Sequence, residues 1–108
     1  MKNLFQGGAA TPSGDEFVET LLESCDVRIE RIVSAGQVSP PGFWYDQDED
    51  EWVALLEGRA ELQYADGRSV TLTRGDWVLI PARCRHRVAY TDSHCVWLAV
   101  FVKNQGIA

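Results

Sequence analysis

Long apolar runs, convincing helical patterns and positive charge are what this sequence lacks. No stretch approaches the roughly 20 consecutive apolar residues of a membrane-spanning helix, and Met1–Gly8 has no apolar centre of the kind a signal peptide carries. The expectation is a cytoplasmic protein with no membrane partner. Ten Lys and Arg stand against 16 Asp and Glu, a net charge of -6. Such a surface repels a phosphate backbone on average, so nucleic acid is not an expected partner. The three cysteines, Cys25, Cys84 and Cys95, are odd in number and widely spaced. That excludes both a disulfide framework and a C-x-x-C metal or redox pair, leaving reduced, mostly buried thiols.

What is present suffices for one domain: 108 residues, 45% of them hydrophobic, can build a single core and no second one. Residues 1–14 are rich in Gly, Ala, Ser, Thr and Pro and are expected to form a flexible arm; 15–103 form the domain, and 104–108 a frayed tail. Phe17–Leu22 fits one face of a short helix or an edge strand, with strand favoured by the β character of the chain downstream. Val27–Val33 is β-branched with partial alternation and runs into a Ser, Gly and Pro loop, 34–42. Short strands are then predicted at 51–57, 60–64, 69–72, 77–80, 87–90 and 95–102. Asp66-Gly67 supplies a two-residue hairpin turn, and Pro81 ends the strand before it. Strands at this spacing, with no helix of convincing length, indicate an all-β sandwich or barrel.

Two segments carry more specific information. Glu51-Trp52-Val53-Ala54-Leu55-Leu56-Glu57-Gly58 places six residues between a glutamate and a glycine. Gly75-Asp76-Trp77-Val78-Leu79-Ile80-Pro81 is followed by Ala82-Arg83-Cys84-Arg85-His86. In spacing and order these resemble the paired motifs of the cupin superfamily, over about 42–101. The resemblance implies a cupin-type jelly-roll barrel (double-stranded β-helix) with Glu51 and His86 inside it. It also implies a homodimer, since family members commonly pair. The family's His-x-His pair is absent: Tyr45 and Gln47 stand in its place, and Arg83 stands where the second motif has glycine.

If Tyr45-Asp46-Gln47 is extended, its period of two puts Tyr45 and Gln47 on one face, which the resemblance makes the interior. Tyr45, Gln47, Glu51 and His86 are thus the candidate metal ligands. The set is oxygen-rich with one imidazole, so any divalent ion it held would be manganese or iron(II) rather than structural zinc. Without metal, Glu51 and His86 are the candidate catalytic pair, since a carboxylate beside an imidazole raises its pKa and prepares it for proton transfer. The bland alternative is a buried hydrogen-bonded pair.

The acidic run 46–51 lacks EF-hand spacing and its glycine, and is expected to be a solvated turn. Arg83, Arg85 and Arg87 alternate beside it, either as surface ion pairs or as a rim for an anionic ligand. Trp52, Trp77 and Trp97 are expected in the core, whereas Trp44, between Phe43 and Tyr45, adjoins the pocket. Trp44 and Arg83 join Tyr45 and Gln47 as candidate ligand-binding residues. The function expected is a stand-alone barrel holding a small polar or anionic molecule. A metal-dependent or acid-base enzyme (isomerase, epimerase, decarboxylase or oxygenase type) and a structural dimerising barrel are the alternatives.

Overall fold

Alternation of side chains sets this architecture. The structure, a computed structural model, describes residues 1–103. It contains eight strands: β1 Phe17–Glu23, β2 Val27–Ser34, β3 Glu49–Glu57, β4 Ala60–Tyr64, β5 Ser69–Leu72, β6 Trp77–Ile80, β7 His86–Thr91 and β8 Cys95–Lys103. In β4, Ala60, Leu62 and Tyr64 are buried while Glu61 and Gln63 face outward, the pattern of a sheet with one dry side. Five strands form one antiparallel sheet in the order β1-β2-β8-β3-β6, and three form a second in the order β5-β4-β7. From β5 onward each successive strand crosses to the other sheet, and the two inner faces enclose a core that includes Val53, Leu55, Leu62, Leu72, Ile80 and Trp97. The expected all-β jelly roll is the fold found. No helix among the described residues is long and apolar enough to cross a membrane.

Several local expectations are corrected. The β4–β5 hairpin has a three-residue loop, not two. Tyr64 and Arg68 are the last paired residues, Gly67 N–H donates to the Tyr64 carbonyl at 3.0 Å, and Gly67 has φ +99°. This is a tight turn followed by a left-handed glycine, the usual three-residue solution. Trp77 is 59% exposed and Trp52 half-buried, their rings 5.7 Å apart on the outer face of the large sheet; only Trp97 is core. Cys25 is exposed rather than buried, though all three thiols are free.

The N-terminal arm is tied down. Arg31, only 3% exposed, donates to the carbonyls of Leu4 (3.2 Å) and Gly7 (2.7 Å) and pairs with Glu19 at 3.0 Å. A buried guanidinium must fill its donor positions, and the arm's backbone supplies acceptors the sheet lacks. The tail expected at 104–108 lies outside the described residues.

Two positions where the family motifs have glycine take a left-handed backbone here. Gly58 has φ +88°, and a Cβ there would sit 2.5 Å from the His94 carbonyl oxygen and 2.7 Å from Cys95 Sγ, so no side chain fits. Arg83, where the family motif has glycine, keeps the left-handed backbone at φ 66°. It is held there by its N–H on the Gln47 carbonyl (2.7 Å) and by ion pairs to Asp46 (3.2 Å) and Asp48 (2.6 Å).

Candidate functional site

A cavity of about 260 Å³ lies between the two sheets. Its dry walls include Val53, Leu62, Ile80, Trp97 and Phe101. Glu51 points into it because its partners across β3, Ile80 and Phe101, are themselves inward-facing. The segment before β3 is zipped onto the start of β7: Tyr45 N–H donates to the His86 carbonyl at 2.7 Å, and His86 N–H to the Tyr45 carbonyl at 3.2 Å. This bridge makes 45–47 extended and sends Tyr45 and Gln47 to the same side, so Tyr45, Gln47, Glu51 and His86 all line the cavity.

Within this quartet, the Gln47 amide donates to Glu51 Oε1 at 3.1 Å, and His86 Nε2 faces the same oxygen at 3.6 Å. The Tyr45 ring stacks on the imidazole with centroids 5.3 Å apart. His86 is 4% exposed, and its Nδ1 lies 2.9 Å from the Cys84 carbonyl, which can only accept. Nδ1 therefore carries a proton. A neutral ring would then aim the Nε2 lone pair at a carboxylate, so protonation relieves that repulsion. Burial is the largest influence on His86 and pulls its pKa down. The Glu51 carboxylate and the Cys84 carbonyl together outweigh it, and the net displacement is upward. Tyr45 is also held toward its protonated form, by burial first and then by the charges of Glu16 and Glu51.

The other two expected ligand-binding residues, Trp44 and Arg83, are not in the cavity lining. Trp44 lies under Arg85 and Arg87, at 5.9 and 6.0 Å, and Arg83 is an exposed residue paired with Asp46 and Asp48. Surface ion pairing therefore accounts for Arg83, the bland alternative.

The sequence reading missed Glu16, Arg28 and Glu30, all of which line the cavity. Arg28 and Glu30 share the inward face of β2 with Ile32, which packs on the core. The available signal was the period of two through 28, 30 and 32. It was masked because Val27, Ile29 and Val33 on the opposite face are β-branched and outnumber Ile32, so hydrophobicity did not set the phase of the strand.

The donor set does not fit a resident divalent metal. Among the described residues no three His, Cys, Asp or Glu side chains are placed so that they could hold one metal ion. Gln47 turns its amide N–H, not its oxygen, toward Glu51. Of the four expected ligands only His86 and Glu51 remain as donors, and one imidazole with one carboxylate offers a manganese or iron(II) ion too few anionic ligands.

Comparison with known proteins agrees with this geometry. The family model described as a cupin domain matches residues 30–101. No curated protein matches the chain. A crystal structure from Ralstonia eutropha JMP134, of a protein provisionally named a mannose-6-phosphate isomerase, is 45% identical; it aligns over 96% of this chain and 98% of that one with a TM-score of 0.88. A cupin superfamily protein from Desulfitobacterium hafniense DCB-2 is 18% identical, with 94% and 87% of the two chains covered and a TM-score of 0.80, a likeness of fold alone. A jelly roll with Glu51 and His86 meeting inside it, and a family model spanning both motifs, make this chain a member of the cupin domain family.

Proposed function

We propose that the barrel binds a small polar molecule in its interior cavity, beside the Glu51–His86 pair. The supporting observation is the cavity itself: a roughly 260 Å³ space with apolar walls and a few converging polar groups is the form small-ligand sites take. A purely structural barrel would fill this volume with side chains. The test is an NMR titration with small hydroxylated and charged molecules, following the His86 ring and the Trp97 indole. Shifts concentrated on these two groups support the reading; shifts scattered over the outer surface overturn it.

A second reading, acid-base catalysis, is favoured by the pair's geometry. A buried imidazole held beside a carboxylate can take a proton from a bound molecule and give it back. The provisional name of the Ralstonia protein, an isomerase, names a reaction of that type. The phosphate in that name has less support here. Arg28, the cavity's guanidinium, is already engaged by Glu30 and Glu49.

For assembly, we propose a homodimer through the outer face of β6, β3 and β8. Opposite the core-facing residues, Trp77, Leu79, Trp52, Ala54, Leu98 and Val100 form a face without a charged side chain, with Trp77 and Leu79 well exposed. Two chains of net charge -6 repel over most of their surfaces, and a charge-free apolar face is where they meet at least cost. Three free thiols fit a reducing compartment, and we place the protein in the cytoplasm.

A further inference from the structure

We propose that the molecule this cavity takes is a small organic ammonium compound, such as a primary amine on a short apolar body; this rests on the cavity being the binding site. Three carboxylates, Glu16, Glu30 and Glu51, line it against a single guanidinium, Arg28. That guanidinium is spent. Its Nε donates to Glu30 Oε2 at 3.0 Å, its two terminal nitrogens donate to the two oxygens of Glu49 at 3.2 Å each, and its flat face lies 4.3 Å from the Phe101 ring centroid. An entering anion would have to strip Arg28 from two carboxylates and would face a third and fourth.

The carboxylates, by contrast, keep acceptor capacity. Ser34 Oγ–H is donated to Glu16 Oε2, Arg28 occupies Glu30 Oε2, and Gln47 and His86 both address Glu51 Oε1. Among the described residues no hydrogen bond reaches Glu16 Oε1, Glu30 Oε1 or Glu51 Oε2. An ammonium group has three donors and no acceptor, the complement of such a site. The field has the matching sign around the stacked Tyr45 and His86 rings: burial and then the charges of Glu16 and Glu51 hold the phenol protonated, and at the imidazole the opposing effect of burial is overcome by Glu51 and the Cys84 carbonyl. Aromatic faces near the site, Tyr45 and Trp97, are surfaces on which a cation is further stabilised. The apolar wall of Val53, Leu62 and Ile80 accepts the hydrocarbon part.

The experiment uses three molecules of matched shape and different charge: n-butylammonium, n-butanol and butyrate. Each is titrated into the full chain at pH 7 and low ionic strength, with the His86 ring and the Trp97 indole N–H as reporters. The expected result is that butylammonium shifts both reporters with an apparent Kd at least tenfold lower than either analogue, and that added salt weakens it. In the double variant Glu16→Gln, Glu30→Gln, the preference for the cation over butanol should fall toward unity. Glutamine keeps the oxygen that accepts from Ser34 and Arg28, and Glu30→Gln alone, which should lose part of the preference, serves if the double variant does not fold. Butanol or butyrate binding as tightly as the amine at these reporters overturns the cationic preference while leaving the cavity as the binding site. A cation preference unchanged in the folded variants overturns the role of these carboxylates. Failure of all three molecules to move either reporter overturns both the ligand class and the proposed site.

Discussion

Ser34 offers the sharpest test of how the cavity wall is held. Its side chain is fully buried at the end of β2, where Oγ accepts the Trp97 indole N–H at 3.1 Å and donates to the Glu16 carboxylate. One hydroxyl thus ties β8 and the segment before β1 to β2, and both residues it holds line the cavity. Ser34→Ala removes a single oxygen and leaves a gap too small for water. The indole N–H, with Trp97 itself 4% exposed, is then left unpaired, at a cost of about 1–3 kcal/mol. Glu16 is partly exposed and regains water, so losing its bond costs less, on the order of 1 kcal/mol. The sum is roughly 2–4 kcal/mol. At about 4–8 °C per kcal/mol for a domain of this size, Tm should fall by at least about 8 °C. Calorimetry or a circular-dichroism melt measures this, and the Trp97 indole resonance should move at the same time. A Tm within about 3 °C of the parent protein, with that resonance unmoved, would refute the reasoning, because the indole would then have another acceptor.

Four further outcomes are expected from the same geometry. Glu51→Gln removes the charge that favours imidazolium, so the His86 pKa should fall; an unchanged histidine NMR titration in the folded variant would show the two residues uncoupled. Because the folded His86 pKa is raised, its stabilising contribution is full below the unfolded value near 6.5 and is lost as pH rises through the folded pKa. Denaturant midpoints across that window should show this decline in the parent and lose it in Glu51→Gln. Tyr45→His combined with Gln47→His should create a nitrogen-rich site with Glu51 and His86 and bind zinc or nickel at least tenfold more tightly than the parent by calorimetric titration. No gain in the folded variant would mean that these positions do not converge. Light scattering at micromolar concentration should give twice 12.1 kDa, and Trp77→Lys with Leu79→Lys should return the monomer mass; a parent already at 12.1 kDa would dispose of the dimer.

The sequence by itself determined the strand set, the class of fold and the identity of the central pair. Those are local or pairwise matters. Alternation in Ala60–Tyr64 announces a half-buried strand, Pro81 ends β6, and the resemblance carried by Glu51–Gly58 and Gly75–His86 implied the inward pair. Even the extended course of Tyr45-Asp46-Gln47 was legible as a conditional, resolved once the bridge to His86 fixed it. What the sequence left undetermined is everything that depends on which side of a strand meets which neighbour. β2 and β6 carry large apolar residues on both faces, so hydrophobicity alone fits either phase. Trp77 was therefore expected inside and lies outside, while Arg28 and Glu30 were overlooked and lie inside. Whether Arg83 faces ligand or solvent likewise turns on its left-handed backbone and its pairing with Asp46 and Asp48, and Trp44 is placed by Arg85 and Arg87 over its ring. The charge of the cavity, the property that selects a ligand, is assembled from β1's approach, β2, β3 and β7 together. Only the register of two sheets closing over one another brings those residues within reach, because a one-residue slip would turn every one of them to the other face.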